Sequence, residues 1–295
     1  MNTPRQHGKR RYSRGWTWLA ALLLLASGAS ASAQESKPAF ELAITPFLPV
    51  RTMMQNYEPM RAFLEVRLQE PVSLITAPDY KVFNERMRRY DYAFVVTVAN
   101  SAYLAQSEYG YIPMLRPAIL TRPVLVTTKQ SPLKNLKALH GATLTMPDRL
   151  AVVSMQGVHM LRAAGLNPEQ DVKIKYMPNH AAAVNWVISG EAQAAIVSDR
   201  ALLQMPEATR NAVRIVQTWE AGAMPGIVYL ASPHVSVERV ARMRQAILEY
   251  VRDTEAGRTL IKNLGYGDLV PSTPEELAPL APYGALLKTA QEAAP

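Results

Sequence analysis

The chain has no cysteine. That excludes disulfides, thiolate metal sites, a cysteine nucleophile and a lipid-modified cysteine anchor. Its histidines lack the paired spacing of metal ligands, so neither a metal nor any other cofactor is expected. No glycine-rich phosphate loop follows a strand. Ser154 has no G-x-S-x-G setting, and no helix aims paired carboxylates into a cleft, so the chain does not read as an enzyme. Strong charge of one sign is also missing once the N-terminus is set apart. Arg5, Lys9, Arg10, Arg11 and Arg14 carry five of the 32 basic residues. Without them 27 basic residues face 24 acidic ones, a net charge of about +3 that gives no case for a nucleic-acid partner. There is no internal repeat. The longest apolar run, Trp16–Ala26, falls short of the ~20 residues that span a bilayer.

That short run has another use. With the basic residues before it and Ala31-Ser32-Ala33 after it, it reads as a secretory signal over residues 1–33. Cleavage after Ala33 would begin the mature chain at Gln34. Arg10-Arg11 leaves the twin-arginine and general export routes both open. A periplasmic location follows as the expectation.

Beyond the signal, apolar bursts alternate with amphipathic stretches, the pattern of an α/β protein. Strands are expected at Phe40–Thr45, Val72–Thr76, Tyr92–Val96, Tyr111–Leu115, Val124–Thr128, Ala194–Ser198 and Gly226–Ala231. Helices are expected at Met53–Leu68, Lys81–Arg89, Ala99–Tyr109, Val237–Val251, Thr254–Leu264 and Leu277–Ala294. The stretches Ser131–Leu166 and Val172–Asp199 each read as strand, polar loop and helix. Their loops, Pro147-Asp148-Arg149 and Pro178-Asn179-His180, would lie at the carboxyl edge of a parallel sheet, where ligands bind. Helix N-termini there offer free amide donors.

Several short motifs, in order, carry a family resemblance: Ala77-Pro78-Asp79-Tyr80, then Arg89-Tyr90-Asp91-Tyr92-Ala93-Phe94. Ser131-Pro132 follows with Leu136, Leu139 and Gly141, then the helix-start His180, then Gly190–Ala195 with Gln193 where an acid is usual. From about Phe40 onward the chain resembles the phosphate/phosphite/phosphonate-binding proteins of ABC transporters. The resemblance implies a two-lobe α/β fold of type II, each lobe a mostly parallel sheet flanked by helices. Residues 34–125 and 228–295 would form one discontinuous lobe and residues 126–227 the other. Crossings near Pro123–Val126 and Gly226–Leu230 would act as a hinge.

One departure bears on the ligand. Phosphonate binders of this family carry a Ser-Thr-Ser-Gly run whose hydroxyls and amides hold the anionic head. The aligned residues here are Arg149-Leu150-Ala151-Val152. Val95 and Val96 stand where an aromatic residue is usual. The resemblance therefore implies the fold and the binding role, with a ligand other than a phosphonate.

The candidate ligand-binding residues each have a structural alternative. Arg149 can clamp a carboxylate or pair with Asp148. His180 can donate to an anion or simply cap and pack. Tyr80 can face the cleft or pack behind an Asp79 cap. Thr97 and Asn100, with Ser101, can line the first-lobe wall or cap a helix. Arg51 can face the cleft or solvent. Asp199 can touch a ligand amine or pair with Arg200. An organic acid held by Arg149 along a cleft lined by Leu150, Val152, Val95 and Val96 is expected. The resulting function is capture of a small anionic or zwitterionic ligand by a monomer that serves a membrane permease. A sensing subunit for a membrane histidine kinase and an interaction module with a degenerate cleft remain alternatives.

Overall fold

A computed structural model describes residues 40–292, so the signal reading over 1–33 lies outside the described residues. The chain opens with β1 (Phe40–Ile44), α1 (Val50–Leu68), β2 (Val72–Ile75), α2 (Tyr80–Arg88), β3 (Phe94–Val98), α3 (Ala99–Tyr109) and β4 (Ile112–Pro117). It crosses to β5 (Pro123–Thr128), β6 (Thr143–Met146), α4 (Val152–Ala163), β7 (Lys173–Tyr176), α5 (His180–Ile188), β8 (Ala194–Ser198), α6 (Asp199–Leu203), α7 (Glu207–Ala212) and β9 (Val213–Thr218). It then returns through β10 (Ile227–Ala231), α8 (Val237–Asp253), α9 (Glu255–Leu264), β11 (Leu269–Pro271), α10 (Pro274–Leu277) and α11 (Ala281–Glu292).

Two sheets result. One has six strands in the order β11-β4-β10-β3-β1-β2, the other five in the order β7-β6-β8-β5-β9. Each contains a parallel trio: β3-β1-β2 in the first and β8-β6-β7 in the second. The strands that bring the chain into or back from a crossing, β5 and β10, join these trios antiparallel, so both sheets are mixed. The inner parallel strands β3 and β8 are buried at every position, as strands covered on both faces must be, while the edge strand β7 alternates lysines with apolar residues and is largely exposed. The two crossings touch. Thr121 and Met224 form an antiparallel bridge, with amide–carbonyl distances of 2.7 and 3.0 Å in the two directions. Gly226 is required beside it, because a Cβ there would lie 2.1 Å from the Thr121 hydroxyl oxygen.

Most elements fall within a few residues of their expected bounds, and the exceptions have local causes. Pro49 caps α1, so the helix begins at Val50 rather than Met53. The single closing helix expected over Leu277–Ala294 is instead α10, a tight turn and α11. Pro279 and Pro282 lack the amide donors that a continuous helix needs. Thr273 and Glu276 cap the short α10 reciprocally. The helix α7 and strand β9 carry no clear periodicity and were not expected. Among the described residues no helix is long and apolar enough to cross a membrane.

Candidate interlobe site

The loops after β1, β3, β6 and β8 converge where the two sheets face each other. A cavity of about 40 Å³ lies there. Its first-lobe wall includes Phe47, Val98 and Tyr266, its second-lobe wall includes Val152, Val153, His180 and Ser198, and Thr121, Met224 and Gly226 close the hinge side. At about 10–15 Å³ for each water on this measure, the closed lobes leave room for only a few waters between them.

His180 is the best-defined polar group in this wall. It begins α5 behind the Asn179 cap, whose side chain accepts from the Ala182 amide at 3.0 Å. The Ser198 amide donates to His180 Nδ1 at 3.3 Å. An accepting Nδ1 requires the tautomer with the proton on Nε2. Burial drives the imidazole pKa down to about 3, so the ring is neutral at ordinary pH. His180 therefore presents a neutral Nε2–H donor to the cavity.

Arg200 brings a charge. Its Nη1 donates to the Gly265 carbonyl at 3.0 Å and its Nη2 to Asp199 at 3.1 Å, while its buried Nε has no partner. Asp199 also accepts the Arg122 amide at 3.0 Å and Arg122 Nε at 3.2 Å. The carboxylate is fully committed to these two arginines and faces no ligand. The Arg200 bond to Gly265 joins the second lobe to the first. Gln204, which also lines the cavity, has a buried side-chain oxygen without a partner.

The segment Leu150–Val153 seals the rest of the cleft. All four residues are buried. Leu150, Ala151 and Val153 share one apolar cluster with Phe47, Tyr80 and Val98 of the first lobe. Val152 joins a second cluster with Ala43, Val95 and Ala99. Asn100 locks the contact: its side-chain amide donates to the Leu150 carbonyl at 2.8 Å, and its own carbonyl oxygen is buried without a partner. Apolar side chains thus fill the place where a hydroxyl-rich loop would present donors.

The other sequence candidates lie elsewhere. Tyr80 is wholly buried, its hydroxyl lacks a partner, and burial together with the Asp148 carboxylate raises its pKa. It packs behind Asp79, which caps α2 by accepting the Val82 amide at 2.8 Å. Asp148 faces it from the other lobe, its own pKa raised first by burial. Thr97 is inside β3 rather than in a loop after it, and its oxygen accepts the Thr45 hydroxyl at 2.7 Å. Val95 and Val96 are interior strand residues of that same sheet and do not line the cavity. Arg51 is exposed on the first turn of α1 and lies outside the cavity.

Arg149 is the main displacement from expectation. It is exposed, and its guanidinium turns to the C-terminal helix, donating to the Ala290 carbonyl at 3.4 Å. It lines a separate groove between α4 and α11. The physical reason is the Asp148 turn: Asp148 accepts the Leu150 amide at 2.8 Å and turns Leu150 inward, which leaves Arg149 outward. The structure brings His180 and Asn100 to the interlobe contact but separates Arg149 from both. Arg200, Ser198 and Gln204 were missed as cavity residues. Their signal is positional, since Ser198 ends β8 and Arg200 and Gln204 follow its carboxyl end, as Asp199 does.

Among the described residues no cluster of side chains is suited to hold a metal ion. Residues 42–277 match the family model described as ABC transporter, phosphonate, periplasmic substrate-binding protein. The fold is similar to that of PhnD1 from Prochlorococcus marinus in complex with methylphosphonate (13% identity, TM-score 0.74, 85% of this chain and 98% of that one). It is also similar to a binding protein component of an ABC phosphonate transporter from Pseudomonas aeruginosa (15% identity, TM-score 0.74, 87% and 89%). The periplasmic aliphatic sulphonate binding protein of Escherichia coli is more distant (14% identity, TM-score 0.57, 86% and 88%). These are substrate-binding proteins and not enzymes, and this chain belongs to the family of periplasmic substrate-binding proteins of phosphonate-type ABC transporters.

Proposed function

We propose that the protein is the exported, monomeric solute receptor of an ABC importer, its first lobe built on the strands up to β4 and from β10 onward and its second on β5 to β9, so that the crossings fall at 118–122 and 219–226 rather than inside β5 and β10. Its ligand is a small monoanion or zwitterion, and phosphonates and phosphate are not ligands. One observation carries the reading. The second-lobe wall of the cleft offers two unused donors, His180 Nε2–H and the buried Arg200 Nε, beside otherwise apolar side chains. A dianion needs more donors than these, and the Arg200 charge is already balanced by Asp199. Each missing bond to a charged group is worth about 1.5–3 kcal/mol, or roughly one to two decades of affinity.

Calorimetry with methylphosphonate and inorganic phosphate is expected to show no binding below millimolar concentration. Native mass spectrometry of protein from its own periplasm is expected to show a retained small acid or amino acid. Submicromolar phosphonate affinity would overturn the proposal.

A second reading is supported by the direct seal between the lobes. The Asn100–Leu150 bond and the Leu150–Val153 packing close the cleft with the protein's own residues. A lobe pair that closes itself also suits a periplasmic sensing or interaction module, and a small acid retained by the native protein decides for the receptor.

A further inference from the structure

Outside the interlobe cavity, a groove of about 820 Å³ runs between α4 and α11. Its size is within the range of small-molecule sites, about 300–1,000 Å³. Its floor is apolar, formed by Met155 and Val158 on α4 with Pro282 and Leu286 on α11. The α4 residues recur at helical spacing, so they form one continuous face. Leu286 is 53% exposed and Tyr176, at the edge of the groove, is 44% exposed. These side chains are large, apolar and unburied at one place.

The charge in the groove has one sign. Arg149, His159 and Arg162 line it, and no carboxylate does. Arg162 is balanced by Glu169 at 3.0 Å. Arg149 forms no ion pair among the described residues and has only the long bond to the Ala290 carbonyl. Arg149 lies just before α4 and Arg162 in its last turn, and the helix between Val152 and Arg162 rises about 15 Å at 1.5 Å per residue. One end therefore carries a guanidinium that has no ion pair, only the field of the neighbouring Asp148, near the Tyr176 ring, and an apolar trough leads away from it.

We propose that this groove binds an amphiphilic carboxylate, with the carboxylate on Arg149 and the hydrocarbon body along Met155, Val158, Pro282 and Leu286. A guanidinium matches a carboxylate with paired hydrogen bonds, and the exposed apolar surface supplies the remaining binding free energy. The groove joins the two lobes, since α4 belongs to the second sheet's lobe and α11 packs on α3 of the first. An occupant bridges them and holds the closed form.

Decanoate tests the site, with decanol and decyltrimethylammonium as probes of head-group charge. Trp219 reports on it, because its ring lies 5.1 Å from that of His159 in the groove wall. The variant Trp186→Phe removes the other tryptophan of the described chain. Decanoate is expected to shift Trp219 emission saturably, with decanol and the cation at least about tenfold weaker. Arg149→Ala and Leu286→Asp are each expected to weaken decanoate about tenfold or more. Both positions are exposed, so the variants retain the fold, which circular dichroism checks. No saturable binding of decanoate below millimolar, equal affinity for all three probes, or full affinity in either variant overturns the proposal.

Discussion

His180 shows how burial alone decides a residue's chemistry. At its ordinary value near 6.5 the ring would be partly charged near neutrality; here burial lowers it to about 3. The native state therefore refuses a proton that the unfolded chain accepts below pH 6.5. Between about pH 6.5 and 3 the unfolded state binds more protons, so stability falls as pH falls through that window. His180→Gln keeps a donor and removes the titration. Urea midpoints are expected to decline less on acidification in the variant than in the wild type, and parallel declines would refute the assignment. Asn100 makes a second residue-scale prediction. Asn100→Ala leaves the buried Leu150 carbonyl without its donor, at a cost of about 1–3 kcal/mol in chemical denaturation. A loss below about 0.5 kcal/mol would mean that water replaces the amide in an open cleft.

At the scale of elements, most of the architecture was legible because its signals are local. The run Ala194–Ser198 is wholly apolar up to its serine cap, and it is a strand buried at every position. Asn179 followed by an alanine-rich stretch announced α5. The closing helix is broken because two prolines count for more than its alanine content, and β9 is hidden in the sequence because its polarity does not follow its alternating burial, with Ile215 exposed and Arg214 half-buried. The site was less legible than the fold. Whether Arg149 or Leu150 turns inward depends on one bond from the Leu150 amide to Asp148, which no spacing rule reveals. The first turn of α4 offers a test with opposite signs. An acid there is favoured by the helix dipole by about 0.3–1 kcal/mol when exposed. If Val152 is packed against the first lobe, the same acid is a buried charge and costs several kcal/mol. Val152→Asp is therefore expected to destabilise the protein in thermal and urea unfolding, and stabilisation would show that the cleft stands open.

At the scale of the whole molecule, the balance between open and closed lobes follows from the same residues. Burying a valine or leucine side chain contributes about 1.5–3 kcal/mol. Leu150, Val152 and Val153 pack on their own lobe as well as on the first, so their contribution to closure is at most comparable with the ~5.5 kcal/mol that moves a two-state equilibrium from 1:99 to 99:1. The Asn100 and Arg200 bonds across the lobes add to this. The hinge resists little, since its crossings meet in a single bridge at Thr121 and Met224. The wild-type protein is thus expected to be mainly closed before any ligand is added. Replacing Leu150 and Val152 by serine removes at most about 3–6 kcal/mol of that preference and returns hydroxyls to the loop. The absence of cysteine makes the measurement clean. Spin labels on Val66→Cys and Lys173→Cys, exposed positions on the two lobes, report the distance between them. One short, narrow distance is expected in the wild-type background and a longer, broader one in the double-serine background. A broad distance already present in the wild type would mean that the apolar contact does not hold the lobes, and that closure depends on the ligand as in a simple solute receptor.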